Sequence, residues 1–223
     1  MSLEFGNDQF FFSLAMAAAL RFLFEVCTDV TVLPSLLIIF RRRRHFEFFV
    51  GVLQFVSSML YNVGDALGME LFLTPGDWHR LTNVTGLAYG VNLLVYLMRN
   101  GDEAVDHLLR YSAFGLLWIA QIKDDYWMEK TQWTIFVVLL YALFCGAKLL
   151  ARGKLLWSTY NKRALKFGAG FAVGAFLFFL ASLDDHADPY RWKHGVAQAL
   201  FGAGLYHLWQ VCPRKEPSDL LPN

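Results

Sequence analysis

The stretch QWTIFVVLLYALFCGAKLLA, residues 132–151, contains a single charged side chain, Lys148, close to its end. A helix that crosses a bilayer needs about 20 mostly apolar residues, because the hydrocarbon core is about 30 Å thick. Apolar runs of comparable length recur along the chain, at 18–40, 46–64, 80–98, 107–122, 132–151, 165–183 and 194–211. The sequence therefore predicts an all-α integral membrane protein, a bundle of seven transmembrane helices.

The composition of the whole chain agrees with this prediction. Of the 223 residues, 56% are hydrophobic and 17% are aromatic, whereas soluble domains are roughly 45 to 50% apolar. The net charge of +1 provides no broad basic surface for nucleic acid, and three cysteines are too few for a disulfide framework or a zinc cluster. We expect one membrane domain at 18–211, an extracellular, luminal or interfacial segment at 1–17 and a cytosolic tail at 212–223.

The basic residues predict the direction in which the helices run. When the connecting segments are assigned alternately to the two sides, the run RRRR at 41–44 and most other Lys and Arg residues share one side, and most carboxylates lie on the other. Because basic residues at span ends stay cytoplasmic, we predict that the amino terminus lies outside and the carboxyl terminus in the cytosol. The membrane is either the plasma membrane or an internal membrane.

Polar side chains gather at three predicted helix ends on the outer side. Span two ends with SSMLYNVGD at 57–65, span three opens with DWHRLTN at 77–83, and RWKHGVAQ at 191–198 opens span seven. Polar groups at such depth usually face the interior of the bundle. We therefore predict one polar pocket near the outer leaflet, formed by Ser58, Asn62, Asp65, Thr82, Asn83, His194 and Gln198.

This layout resembles the CREST superfamily, whose seven-span members carry Ser-x-x-x-His at the end of the second helix, an aspartate opening the third and His-x-x-x-His opening the seventh. It is most similar to the myomaker and transmembrane-protein-eight branch, with shared features in RRRRHFEFF at 41–49, IKDDYWMEKTQW at 122–133 and LDDHADPYRWKH at 183–194. The resemblance implies that three histidines hold zinc, and that the serine and aspartate assist a metal-bound water that hydrolyses a lipid amide or ester.

This chain departs from the pattern at the ligand positions. Ser58 matches the serine, but Asn62 stands where the histidine of the second helix is expected, and Gln198 stands four residues after His194. Amides are poor zinc ligands compared with imidazole, so we expect no tightly held zinc and no other cofactor. We expect the Asn62 and Gln198 amides to pair with each other instead. At the position of the third-helix aspartate, the chain has Thr82 and Asn83.

Two functions stay open at this point. A remodelled, metal-free pocket favours a myomaker-like protein that acts through membrane lipids or membrane-protein partners, without catalysis. The alternative is a zinc-dependent lipid amide or ester hydrolase of the alkaline ceramidase type, in which Ser58 and Asp65 are catalytic and His194 binds the metal. In that case His79, with His186, supplies the missing ligands. A transporter is disfavoured because discontinuous helix pairs are lacking. A receptor function would be supported only by the number of predicted spans.

Two further features carry expectations. Cys212 follows span seven and precedes Arg214 and Lys215, a context typical of S-palmitoylation, although a buried, inert thiol is the alternative. In GAGFAVGAF, residues 168–176, the spacing of Gly170 and Gly174 predicts a close approach between the sixth helix and a neighbour.

Overall fold

The computed structural model describes residues 16–124, 132–183 and 188–213. In these ranges the chain forms seven helices and no β-strand, so the all-α prediction is confirmed. The helices are α1 (Met16–Arg41), α2 (His45–Leu67), α3 (Pro75–Met98), α4 (Glu103–Lys123), α5 (Gln132–Thr159), α6 (Lys162–Ala181) and α7 (Trp192–Leu208). Within α1, a 3-10 segment, Cys27–Val32, precedes a second α-helical part, Leu33–Arg41. Each predicted apolar run overlaps one of these helices.

Five of the helices described are long and apolar enough to cross a membrane: α1, α2, α3, the Gln132–Leu155 part of α5, and α6. Helix α7 has only 17 residues, and the first turn of α4 contains two acidic residues. The lengths and composition are those of a multi-pass membrane protein. The number of seven spans and the orientation of the termini stay predictions.

Local sequence fixes where several helices begin and end. The hydroxyl of Thr74 accepts a hydrogen bond from the Asp77 amide at 3.2 Å and caps α3, and the Asn161 side chain caps α6 in the same way, with 3.1 Å to the Ala164 amide. Such caps satisfy amides that have no partner inside the helix. Helix α2 ends at Gly68 in the left-handed conformation, with φ of 62°, which costs glycine little.

Helix α3 occupies the centre of one half of the bundle. It packs against α2, α4 and α5, and its residues Val84, Ala88 and Tyr89 have no exposed surface. In the other half, α7 packs against α6 and against both the 3-10 segment and the second part of α1. Since α1 also packs on α2, it joins the two halves.

The helix that approaches its neighbours most closely is α7, and the prediction for Gly170 is wrong. A Cβ atom at Gly170 would meet no atom within 4 Å, and one at Gly174 would make only an ordinary contact at 3.4 Å. By contrast, a Cβ at Gly195 or Gly202 would lie 2.6 Å from a backbone carbonyl oxygen of α1. The sixth helix does approach a neighbour closely, but at Gly168 of the same stretch, where a Cβ would lie 2.6 Å from Leu208 Cγ of α7. The tightest contact with backbone lies between α1 and α7.

Candidate functional site

A buried carboxylate lies where α1, α2 and α7 meet. Asp29, in the 3-10 segment of α1, is 3% exposed. Its Oδ1 accepts hydrogen bonds from Ser58 Oγ at 3.0 Å and Gln198 Nε2 at 3.1 Å, and its Oδ2 accepts one from Asn62 Nδ2 at 2.8 Å. We call these four residues the Asp29 cluster. Three neutral donors from two helices thus converge on one acceptor group of a third.

The 3-10 geometry of α1 helps to place Asn62 in this cluster. The amide of Asp29 donates to the Val26 carbonyl at 3.2 Å, the short-range bond of a 3-10 turn. This frees the Glu25 carbonyl, which the Asp29 amide would occupy in a continuous α-helix. That carbonyl accepts a second bond from Asn62 Nδ2 at 3.0 Å. One asparagine therefore ties α2 to two successive turns of α1.

A layer of ion pairs lies next to the cluster, toward the end of the bundle where α2 ends and α3 begins, here called the α2–α3 end. The Glu25 side chain is 4% exposed, and its Oε1 lies 3.3 Å from Arg21 Nη2 and 3.5 Å from Arg191 Nε. Arg21 Nη2 also lies 2.8 Å from Asp65 Oδ2. These pairs join α1, α2 and the residue that precedes α7. None of the ion pairs between described residues includes Asp29.

The structure brings together three members of the predicted pocket, Ser58, Asn62 and Gln198. The expectation that the two amides pair with each other is wrong, because both donate to Asp29. A carboxylate offers two ionised acceptor oxygens, and bonds to such oxygens are stronger than bonds between neutral groups. Asp65 lies in the ion-pair layer, bonded to Arg21, and not beside Ser58.

The other predicted pocket residues do not meet at Asp29. Asn83 Nδ2 lies 3.4 Å from His79 Nδ1, and the His79 ring packs 5.5 Å from the ring of Tyr61. The hydroxyl of Thr82 is buried and makes no hydrogen bond with any described residue.

His194 contributes its backbone to the start of α7. Its amide donates to Asp188 Oδ2 at 3.2 Å, and the amide of Lys193 donates to the same oxygen at 3.0 Å. His186 lies outside the described residues. Among the described residues, neither His79 nor His194 belongs to a group of three side chains that could hold a metal ion.

The donor groups of the Asp29 cluster do not fit zinc. Zinc in proteins is held by imidazole nitrogens, thiolates and carboxylates, whereas this cluster offers one carboxylate, two amides and one hydroxyl. Both amides present their nitrogens, and not their oxygens, to the carboxylate. Within the described ranges, no three His, Cys, Asp or Glu residues are grouped so that they could hold a metal ion.

Sequence reasoning missed Asp29, the residue at the centre. Arg21, Glu25 and Asp29 interrupt the first apolar run at intervals of four residues, which places them on one face of a helix. Polar residues on one face of a spanning helix are expected to face other helices. That spacing was the signal that α1 contributes to the polar interior.

A second buried ionic network lies at the opposite end of the bundle. Glu47 in α2 has no exposed surface, and its two oxygens lie 3.1 and 3.2 Å from Arg110 Nη1. Arg44 reaches Glu47 at 3.3 Å and Asp106 at 3.1 Å, and Arg110 also reaches Asp106 at 3.1 Å. The last arginine of the RRRR run thus belongs to a network that connects α2 with α4.

Cys212 is buried near this end. The residue is 2% exposed, its Sγ lies 3.8 Å from the Tyr96 carbonyl oxygen, and its own carbonyl accepts from Arg42 Nη1 at 2.7 Å. Burial raises the pKa of the thiol to about 11. This arrangement matches the buried-thiol interpretation. Palmitoylation stays a prediction, and it requires the segment to move away from α3.

The described part of the chain has seven packed helices, and five of them have the length and composition of membrane spans. Together with the buried cluster of one carboxylate and three neutral donors, they define a helical multi-pass membrane protein with a polar interior. Residues 17–199 match the family described as protein of unknown function (DUF3522). The chain belongs to this family, and the matched range includes all four residues of the Asp29 cluster. None of the curated proteins matches the chain.

Proposed function

We propose that the protein is a myomaker-like, seven-span membrane protein of the CREST type that acts through contacts with membrane lipids or membrane-protein partners, without catalysis. One observation carries the proposal: Asn62 and Gln198, which stand at positions where the resemblance expects zinc ligands, both donate hydrogen bonds to Asp29. The amide nitrogens that donate these bonds have no lone pair to offer a metal, and amide oxygens are poor zinc ligands compared with imidazole.

The proposed role of the Asp29 cluster is to hold α1, α2 and α7 together. A hydrogen bond to an ionised group contributes about 1.5 to 3 kcal/mol, and a buried donor left without its partner costs about 1 to 3 kcal/mol. The cluster therefore favours one arrangement of these three helices. The Ser58 hydroxyl, which would assist the hydrolytic water in the related enzymes, donates to Asp29 at 3.0 Å instead.

The proposed orientation places the α2–α3 end outside and the RRRR end in the cytosol, in the plasma membrane or an internal membrane. The basic residues at 41–44 support this direction, since Lys and Arg next to spans stay cytoplasmic. Glycosylation acceptor sites introduced at the amino terminus and into the α2–α3 loop test it. Modification at both positions is expected, and modification at neither would contradict the orientation.

Metal content and lipid hydrolysis test the absence of catalysis. We expect full-length protein purified without chelators to contain far less than one zinc per chain, and to leave ceramide and phospholipids intact in nanodiscs. EDTA should leave its melting temperature unchanged. One zinc per chain that is lost on His194→Ala, together with hydrolysis that requires it, would overturn the proposal in favour of the ceramidase-type enzyme.

The structural role of the cluster has its own readout. Asp29→Ala removes the common acceptor and leaves three donors without it, so the melting temperature should fall with or without EDTA. Asp77→Ala, which changes an exposed carboxylate outside the cluster, is the matched control and should have a smaller effect. An Asp29→Ala protein as stable as the wild type would show that the cluster does not hold the helices together.

A further inference from the structure

A cavity of about 250 Å³ lies at the α2–α3 end of the bundle. It is enclosed by the last turns of α2, the loop that follows and the first turn of α3. Its walls include two aromatic rings, two carboxylates and apolar side chains, contributed by Tyr61, Trp78, Asp65, Glu70, Met69 and Leu71. We call it the α2–α3 cavity; it is distinct from the Asp29 cluster, because no residue of that cluster lines it.

The loop is folded back over the end of α2 by specific backbone contacts. After the left-handed Gly68, the Met69 amide donates to the Gly64 carbonyl at 2.9 Å. The indole nitrogen of Trp78 donates to the Leu71 carbonyl and fastens the loop to α3. A Cβ atom at Gly64 would lie 3.0 Å from the Met69 carbonyl oxygen, so glycine at this position allows the loop to close on the helix.

The turn at the tip of the loop presents an aromatic side chain to the surroundings. Phe72 has φ of 62°, and the Leu73 amide donates to the Leu71 carbonyl at 2.6 Å. This left-handed three-residue turn is rare for a bulky residue and costs on the order of 1 to 3 kcal/mol. Phe72 is 97% exposed, and Leu67 and Met69 are 52% and 54% exposed. Three apolar side chains are therefore exposed at or next to the walls of the cavity in the sequence.

The charges of the cavity favour a cation. Asp65 is paired with Arg21 at 2.8 Å, but Glu70 takes part in none of the ion pairs between described residues. The Glu70 carboxylate therefore has no ion pair among the described residues, and it lines the same cavity as Tyr61 and Trp78. Aromatic rings that line a site attract cations through their faces, and such sites recognise quaternary ammonium groups.

We propose that the α2–α3 cavity binds the trimethylammonium group of a choline phospholipid. A quaternary ammonium has no hydrogen-bond donors and presents methyl groups, so it fits a cavity with aromatic and apolar walls and one free carboxylate. The exposed Phe72, Leu67 and Met69 place the mouth among lipid headgroups rather than in bulk water. This step rests on the proposed membrane orientation, in which the α2–α3 end lies at the outer headgroups.

Binding of soluble ammonium compounds tests the cavity without a membrane. Full-length protein in a maltoside detergent, which contains no choline, is titrated with tetramethylammonium and with phosphocholine, and saturation transfer to the methyl protons is measured. We expect saturable binding that weakens about tenfold with Glu70→Gln or Tyr61→Leu, because each removes a charge or ring contact of about 1.4 kcal/mol. Tyr61→Phe keeps the ring and should keep the affinity.

Phe72→Leu is the matched control, because Phe72 lies in the same loop but does not line the cavity. It should leave the binding of tetramethylammonium unchanged. No saturable binding, or equal binding by the wild type, Glu70→Gln and Tyr61→Leu, would overturn the proposal. If Tyr61→Leu fails to fold, as shown by its melting curve, Glu70→Gln decides alone, since Glu70 is exposed.

The lipid itself is tested in nanodiscs that contain photoactivatable phosphatidylcholine or phosphatidylethanolamine, each labelled at the headgroup. Crosslinks from phosphatidylcholine to residues 61–78 support the proposal if Glu70→Gln reduces their yield. Equal crosslinking by both lipids, or binding of soluble ammonium without lipid crosslinks, refutes lipid recognition. Zinc content and lipid hydrolysis are measured separately from ammonium binding. A negative result for ammonium or lipid binding would therefore not contradict the proposed non-catalytic function. Stoichiometric zinc, in turn, would not contradict ammonium binding.

Discussion

Two substitutions should turn the Asp29 cluster into a zinc site. In Asn62→His with Gln198→His, two imidazoles replace the amides that now lie 2.8 and 3.1 Å from the oxygens of Asp29. Nδ1 of a histidine falls close to the place of an asparagine Nδ2, and Nε2 close to that of a glutamine Nε2. The double variant therefore presents two nitrogens and one carboxylate, three ligands of the kinds zinc prefers.

The geometry sets the size of the rearrangement that zinc requires. With metal–ligand distances of about 2.0 to 2.2 Å and tetrahedral angles, two ligand atoms are about 3.4 Å apart. The present distances from the Asp29 oxygens to the Gln198 and Asn62 nitrogens are shorter than this by roughly 0.3 and 0.6 Å. Zinc therefore requires both side chains to move away from the carboxylate by about these amounts. At a free zinc concentration of 100 times Kd, binding stabilises the fold by about 2.7 kcal/mol, which raises the melting temperature by about 5 to 11 °C.

The assay measures zinc per chain and the melting temperature with zinc and with EDTA. The double variant should bind one zinc and gain stability that EDTA removes, whereas the two single variants should bind more weakly. Adding Asp29→Asn to the double variant removes the third ligand and should abolish the gain. A double variant that folds but has no more affinity for zinc than the wild type would show that Asn62 and Gln198 do not hold the positions of the family's histidines.

Three further perturbations test the packing around this site. Glu47→Ala removes one of the two carboxylates that pair with the buried Arg110, while Asp106 remains, and it should destabilise the fold by about 1 to 3 kcal/mol; methionine at both positions should recover part of that loss, and equal stabilities in thermal unfolding would contradict the buried pair. Gly202→Ala should lower the melting temperature because the new Cβ meets the backbone of α1, 2.6 Å away, whereas Gly170→Ala, with open space around it, should not. Because its pKa is about 11, the Cys212 thiol should react slowly with a membrane-permeant maleimide at pH 7 and faster as the pH rises; rapid labelling at pH 7 would refute its burial.

The sequence by itself determined where the helices lie and most of their limits to within about three residues. Apolar runs predicted spans such as 46–64 and 132–151, and the structure has helices at His45–Leu67 and Gln132–Thr159. The differences at the ends arise where a second helical segment follows a kink, as at Arg152 in α5, or where a cap such as Thr74 starts α3 before the apolar run begins. Hydropathy identifies the apolar segment of a helix, whereas capping residues determine where the helix begins and ends.

Only the tertiary structure decided which residues meet. Helix periodicity placed Ser58 and Asn62 on one face of α2, but it could not name the acceptor that faces them. That acceptor, Asp29, is 33 residues from Asn62 and 169 residues from Gln198 along the chain. The choice of partner depends on the packing of α1 between α2 and α7, which Gly195 and Gly202 permit by close approach. The sequence pattern indicates which face a helix buries. The neighbour that covers this face depends on how all the helices pack together.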